Sequence, residues 1–212
     1  LYQTARSNNA LTGVDVDCTS SGGNLYTNAG LGHSSYLSSS TNIPNFKSLT
    51  IQSTATLTTT GPSGSNPGVK IEFKVKNTIT IESTGKIDAS GMGYAGGNNI
   101  AATPAYGLGA GGNGGKASGG GGAGYGGAGG NGGLRNSTFG VGGTPYNYQD
   151  SVFGSGGGSS TAMFTNIGGN GGGAIKIGAN NISVNGSILA DGTNGTGYTC
   201  GFGCSSGSGG GS

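Results

Sequence analysis

The chain has little charge and few of the side chains that carry out chemistry. Only 8% of its 212 residues are charged, tryptophan is absent, and histidine occurs once. A net charge of +2, with no clustered stripe of Lys and Arg, argues against a nucleic-acid partner or an anionic membrane surface. No apolar run approaches the roughly 20 residues that a membrane-spanning helix needs, so we expect no membrane span.

These scarcities also argue against catalysis and metal binding. One histidine, His33, excludes a multi-histidine metal cluster, and adding three cysteines still makes a poor zinc site. Two matches to the Gly-x-Gly-x-x-Gly spacing, starting at Gly107 and Gly124, have no strand before them and no helix after them, so chance explains them. The acidic residues between 70 and 88 alternate with lysines, which is typical of a solvated strand face. We predict no catalytic residue, no metal and no cofactor, and hence no enzyme.

Proline is also scarce, with five residues, whereas glycine accounts for 53 of the 212. Glycine at this level without a strict Gly-X-Y period excludes collagen. Such a composition usually indicates low-complexity disorder. Here a repeated apolar pattern argues against disorder of the whole chain.

That pattern occurs three times, in strand units that we place at residues 46–61, 69–91 and 174–192. In the second unit the apolar residues from Val69 to Ala89 fall on one parity and the charged residues on the other. Period two indicates strands with one buried face, and a repeated strand unit must stack on a copy of itself to cover that face. We therefore predict an all-β chain, a parallel β-helix or related solenoid. Asn77 and Ser83 interrupt the inward parity, so we expect corners there.

Two further parts complete the predicted organisation. Residues 1–45 are a largely polar sequence that would form an N-terminal cap or docking arm, with short strands near Val14–Val16 and Leu25–Tyr26. Residues 46–212 would form the solenoid, including a glycine field at 91–173 and a Gly/Ser tail at 193–212. The glycine field is either coil or a set of polyproline-II-like strands packed closely, and its Gly-Gly-Asn-Gly-Gly blocks favour packing. Whether it loops out or forms its own layer stays open.

The cysteines and the glycosylation sequons favour a secreted protein. Cys18, Cys200 and Cys204 would form at least one disulfide, either between the last two or from Cys18 to one of them, and the third thiol would then be free to bridge to a neighbouring subunit. The alternative is three small buried thiols. Four Asn residues lie in N-glycosylation sequons: Asn136, Asn181, Asn185 and Asn194. The chain starts at Leu1 and stops within a Gly-Ser tract, so we expect a processed chain or part of a longer protein.

Two stretches carry a resemblance to known proteins. They are the third strand unit and Gly-Ala-Gly-Tyr-Gly-Gly-Ala-Gly-Gly-Asn-Gly at 122–132. Over residues 69–212 the chain resembles glycine-rich repeat regions of large secreted and surface proteins of microbes, which implies a parallel β-helix in an adhesin or cell-surface structure. It is less similar to phage tail-fibre adhesins, in which polyglycine-II strands pack in a sandwich. Neither resemblance implies a defined set of active residues.

The leading hypothesis is a structural subunit of an extracellular filament or surface appendage. Identical copies would add head to tail by stacking their unpaired β-rungs. The alternative is a receptor- or glycan-binding adhesin tip, with sugar contacted by four aromatic residues: Tyr106, Tyr125, Tyr146 and Tyr148. A remote alternative is ice binding, suggested by a Thr-x-Thr ladder running from Thr54 to Thr60.

Overall fold

All regular secondary structure in the described part of the chain is β-strand, which confirms the predicted all-β class. The structure is a computed structural model, and it describes residues 15–18, 45–98, 103–115, 118–134, 138–147, 149, 152–160, 166–196 and 210. The strands are β1 (Asp15–Cys18), β2 (Asn45–Phe46), β3 (Ser48–Ile51), β4 (Thr56–Leu57), β5 (Ile71–Ile81), β6 (Lys86–Asp88), β7 (Ile175–Val184) and β8 (Ser187–Leu189). The described residues divide into two compact units. The first contains all eight strands, and the second contains the described residues of 61–68, 89–174 and 190–212.

In the first compact unit the strands of the three sequence repeats lie side by side in two parallel sheets. One sheet has the order β1-β3-β5-β7, with β2 also paired to β5, and the other has the order β4-β6-β8. Equivalent residues of the repeats pair directly, as Ile79 does with Leu49 on one side and Ile182 on the other. The repeats therefore stack on one another, as predicted, with equivalent positions paired in both sheets. The strand predicted near Val14–Val16 overlaps β1 at Asp15 and Val16. Val14 and the strand predicted near Leu25–Tyr26 fall outside the described residues.

The core of this unit is the inward row of the first two repeats. Its apolar side chains are 3% exposed or less: Phe46, Leu49, Ile51, Ala55, Leu57, Ile71, Phe73, Val75, Ile79, Ile81 and Ile87. Val69, at the start of the predicted row, is half-buried. The predicted parity of the second repeat is otherwise confirmed.

At Asn77 the structure has a register irregularity within a continuous strand, so the corner predicted there is wrong. The pairing of β5 with β7 shifts between Val75 and Thr78. The Asn77 N–H donates to the Lys47 carbonyl oxygen at 2.8 Å. This bond bridges the gap between β2 and β3, so β5 continues through Asn77 while its side chain stays exposed. The corner predicted at Ser83 is present, because Ser83 lies in the turn after β5.

The first two repeats share the same turn after their long strands. The N–H of Ala55 donates to Gln52 O at 3.0 Å, and that of Gly85 donates to Glu82 O at 2.9 Å. Both turns place a threonine in the left-handed region, Thr54 at φ 72° and Thr84 at φ 68°. Left-handed backbone is strained for a β-branched residue. Stacking offsets part of that strain, because the Thr54 N–H donates to the Thr84 hydroxyl at 3.1 Å.

The second unit is a set of glycine-rich segments that are hydrogen-bonded side to side by their backbones. The donors recur at every third residue: Gly119 and Gly122, Gly121 and Gly124, Gly129 and Gly132, and Gly140, Gly143 and Tyr146. Segment 118–125 exchanges such bonds with four different neighbours, at 106–115, 127–134, 138–146 and 152–160. Adjacent donors on one segment thus reach different partners. Glycine allows this proximity, since a Cβ built at Gly121 would come well inside 3.0 Å of the Val141 carbonyl oxygen.

Candidate functional site

The third strand repeat leaves its apolar row uncovered. Ile182 is 53% exposed, Val184 45% and Ile188 41%. Their direct partners in the second repeat, Ile79, Ile81 and Ile87, are fully buried. Because in-register parallel strands keep equivalent residues on the same side of a sheet, the exposed row is an extension of the core row. We call the outer edge of β7 and β8 the open edge.

The backbone along the open edge has no strand partner in the described part of the chain. Among the described strands, β7 pairs only with β5 and β8 only with β6. Each of these strands therefore has a second edge that faces no described strand. An unpaired strand edge with apolar side chains is a template for another strand.

Few charged residues lie along the open edge. Lys176 is the only charged residue in β7 and β8. Its ammonium lies 2.9 Å from the Glu72 carboxylate, which also pairs with Lys70. These two hydrogen-bonded lysines hold the pKa of Glu72 below its ordinary value. These ion pairs lie on a solvated strand face, as the alternation of acids and lysines predicts. Residues 177–184 of β7 carry no charge.

The corners of the repeats show how closely one repeat stacks on the next. A Cβ built at Gly85 would lie 2.8 Å from the carbonyl oxygens of both Ile51 and Gln52 in the first repeat. A Cβ built at Gly186 would collide with the Glu82 and Gly85 carbonyl oxygens in the same way. Backbone bonds join these corners, from Lys86 N–H to Ala55 O at 2.9 Å and from Ser187 N–H to Gly85 O at 3.0 Å. A glycine at the corner is thus needed where a repeat stacks on a preceding one.

The aromatic residues predicted to contact sugar lie in different surroundings. Tyr146 is only 8% exposed. Its hydroxyl donates to Phe153 O at 2.7 Å and accepts from Ser155 Oγ at 2.8 Å. The ring of Tyr125 meets it edge-on, with 4.9 Å between centroids. Burial raises the pKa of the Tyr146 phenol above its ordinary value.

Tyr146 and Tyr125 thus pack on each other, and the hydroxyl of Tyr146 faces the protein. Tyr125 and Tyr106 are half-buried, and the Tyr106 backbone bonds to Ala95 and Gly156. Tyr148 lies outside the described residues. The structure therefore brings together two of the four predicted tyrosines.

The sequons that fall in the described part of the chain are exposed. Asn181 lies in β7, Asn185 in the turn between β7 and β8, and Asn194 after β8, and all three side chains face solvent. Asn136 falls outside the described residues. The side chains of Asn181, Asn185 and Asn194 are thus accessible among the described residues, and their glycosylation stays a prediction.

Two sets of predicted residues are only partly within reach of the structure. Cys18 ends β1, and Cys200 and Cys204 lie outside the described residues, so the disulfide stays a prediction. In the threonine ladder, Thr54 lies in the turn and Thr56 in β4, so the four threonines do not share one strand. The described residues contain no cluster of three or more His, Cys, Asp or Glu. Nor does any described helix have the length and apolarity to cross a membrane.

The asparagines of the Gly-Gly-Asn-Gly-Gly blocks have a role that the sequence analysis did not assign to them. Three such blocks are centred on Asn113, Asn131 and Asn170, and in each the side-chain Oδ1 accepts a backbone N–H from another segment. The donors are Ser159 at 2.9 Å, Gly142 at 2.8 Å and Gly96 at 3.0 Å. Each amide side chain thus replaces a backbone acceptor. The recurrence of Asn between glycine pairs is the signal that points to this role.

Comparison with known proteins gives no relative. The chain matches no protein-family profile, and no curated protein or solved structure is significantly similar to it.

Proposed function

We propose that this chain is a structural subunit, or a segment, of an extracellular filament or surface appendage that grows by stacking of β-rungs at the open edge. The three stacked repeats would be rungs of a parallel β-solenoid, and the glycine-rich segments a polyglycine-II-like layer. The observation that carries the proposal is the uncovered row of Ile182, Val184 and Ile188. It continues, in register, the buried core row of the second repeat.

The energetics favour covering this row. Full burial of an Ile or Val side chain is worth about 1.5–3 kcal/mol relative to exposure. The three side chains of the row are about half exposed. Covering all three would therefore contribute roughly 3 kcal/mol. Backbone bonds along β7 and β8 would add to this, and the low charge removes the repulsion that commonly protects strand edges.

The glycine-rich segments suit a scaffold. Donors at every third residue match the three residues per turn of a polyproline-II helix, which makes no hydrogen bonds within its own strand. Each segment must then bond to its neighbours, and glycine lets several of them approach one another. Such packing offers rigidity and little chemistry. The exposed sequon asparagines and the expected disulfide fit an extracellular location.

Ile182→Asp tests the proposal. A carboxylate at the open edge would be desolvated by an incoming strand, so we expect the variant to stay monomeric at concentrations where the parent forms polymers. Thr80→Asp is the matched control, because Thr80 lies in the outward row of β5, one strand inside the edge. Sedimentation and electron microscopy of both variants would measure assembly, and circular dichroism would verify folding.

Two outcomes would contradict the proposal. One is a parent chain that stays monomeric at every concentration. The other is equal polymerisation of Ile182→Asp and Thr80→Asp. Measurable glycan affinity of a monomeric chain would instead favour the binding-tip alternative.

A further inference from the structure

We infer that the partner of the open edge is strand β1 of a second copy, docked in parallel and in register, with Val16 beside Ile182 and Cys18 beside Val184. This inference rests on the proposed function and names its partner. The argument starts from the order of the first sheet. β1 and β7 are its outermost strands among those described, and every strand between them is parallel.

The register follows from the pairs within one chain. Val16 pairs with Leu49, Leu49 with Ile79, and Ile79 with Ile182. In the same way Cys18, Ile51, Ile81 and Val184 form one row across the sheet. Moving a whole sheet along this row, so that β1 follows β7, continues both rows without changing direction or parity. No rotation of the second copy is needed, so the contact is heterologous and does not close.

The polar row agrees with this pairing. Asp17 shares a register row with Thr50, Thr80 and Ser183, so a docked β1 would place Asp17 directly opposite Ser183. A serine hydroxyl donates to a carboxylate. The nearest charge on β7 is Lys176, of opposite sign, so no like charges meet. The acidic β1 and the uncharged end of β7 are thus compatible, whereas an acidic side chain at Ser183 would not be.

The structure suggests a direct test by disulfide cross-linking. Paired residues of adjacent strands lie about 4.8 Å apart. This falls within the roughly 4.4–6.8 Å between Cα atoms that a disulfide spans. Val184→Cys would therefore bond to Cys18 of the next copy when oxidised glutathione takes two electrons and two protons from the two thiols. Ser183→Cys is the matched control, because neighbouring residues of a strand point to opposite faces.

Both variants carry Cys200→Ser and Cys204→Ser, and peptide mass spectrometry identifies the linked residues. We expect covalent ladders of several copies from Val184→Cys, with Cys18 as the linked residue, and at least tenfold less product from Ser183→Cys. If the chain forms filaments but neither variant cross-links, or both cross-link equally, the β1 partner is wrong and the proposed function stands. If the chain forms no polymer, both fail.

A second pair of variants leaves the cysteines untouched and so does not depend on folding of the serine background. Ser183→Asp sets a carboxylate beside Asp17, and Ser183→Lys sets an ammonium there. Like charges directly opposite destabilise a strand pair, whereas opposite charges stabilise it. We expect the critical concentration for assembly to rise at least tenfold with Asp and to stay equal or fall with Lys. Equal effects of the two substitutions would overturn the pairing with β1.

Discussion

Replacing Gly121 by alanine tests whether the glycine-rich segments pack as closely as the structure shows. Gly121 is buried in segment 118–125, and its N–H donates to Gly112 O at 2.9 Å. An added Cβ would meet the Val141 carbonyl oxygen well inside 3.0 Å. This obstacle is backbone, so no side-chain rotation relieves it. Segment 138–146 would have to retreat by about 1 Å to restore ordinary van der Waals separation.

The cost follows from the hydrogen bonds that such a retreat would stretch. Three bonds join segment 138–146 to segment 118–125: Gly140 N–H to Gly119 O at 2.9 Å, Gly143 N–H to Gly122 O at 2.8 Å, and Tyr146 N–H to Tyr125 O at 2.7 Å. Each contributes about 1 kcal/mol net. We therefore expect Gly121→Ala to lower the free energy of unfolding by about 3 kcal/mol.

Gly130→Ala is the matched control from the same unit. A Cβ at Gly130 meets nothing within 4 Å, and its φ is not in the left-handed region. Alanine there restricts the unfolded chain without a clash, which stabilises by about 0.4–1 kcal/mol. The two variants should thus differ by roughly 3–4 kcal/mol in opposite directions.

Urea unfolding followed by tyrosine fluorescence measures the difference, since the chain has nine tyrosines and no tryptophan. Both substitutions are made in the Ile182→Asp background, which we expect to stay monomeric. Amide hydrogen exchange at Gly119 and Gly122 reports on the array directly. Free energies of unfolding of the two variants that agree within about 0.5 kcal/mol would refute the close packing of these segments.

Two further predictions concern polar groups of the second unit. Asn170→Ala should lower the free energy of unfolding by about 1–3 kcal/mol, because the buried N–H of Gly96 loses its acceptor. Asn131→Ala should cost less, because Asn131 is exposed, and Asn131→Asp should restore stability by keeping the acceptor for Gly142; equal losses at 131 and 170 in urea unfolding would contradict this. Burial raises the pKa of Tyr146 above the ordinary value of 10.0. The stability that the buried neutral phenol contributes is therefore complete below the ordinary tyrosine pKa. It is lost as pH rises through the raised pKa of Tyr146. Spectrophotometric titration should show one late phenol that Tyr146→Phe removes, and a late phenol that persists in this variant would show that another tyrosine is responsible.

The strand units were predictable because their apolar and polar residues alternate, and this alternation favours a strand with one buried face. Leu49, Ile79 and Ile182 occupy the same place in the repeated text, and the structure pairs them. The bulge at Asn77 was not predictable as such, because a polar residue on the inward parity signals an irregularity without specifying its kind. The left-handed backbone at Thr54 and Thr84 was also not predictable, because a β-branched residue is a poor candidate for that conformation.

The open edge was not visible in the sequence. Ile182 and Ile79 have the same sequence context, yet one is 53% exposed and the other is fully buried. Only the stacking order shows which repeat is outermost. The packing of the glycine-rich segments was also not predictable, because a random coil and closely packed segments have the same composition. The hydrogen bonds of Asn113, Asn131 and Asn170 depend on which segments become neighbours, and no local pattern specifies that.

Cryo-electron microscopy of the unmodified chain tests the central claim most directly. Stacking at the open edge predicts long filaments whose power spectrum has a layer line near 4.8 Å, the spacing of hydrogen-bonded strands. The same images would show whether β7 of one copy lies beside β1 of the next. Discrete monomers or closed oligomers at concentrations well above micromolar would contradict the account.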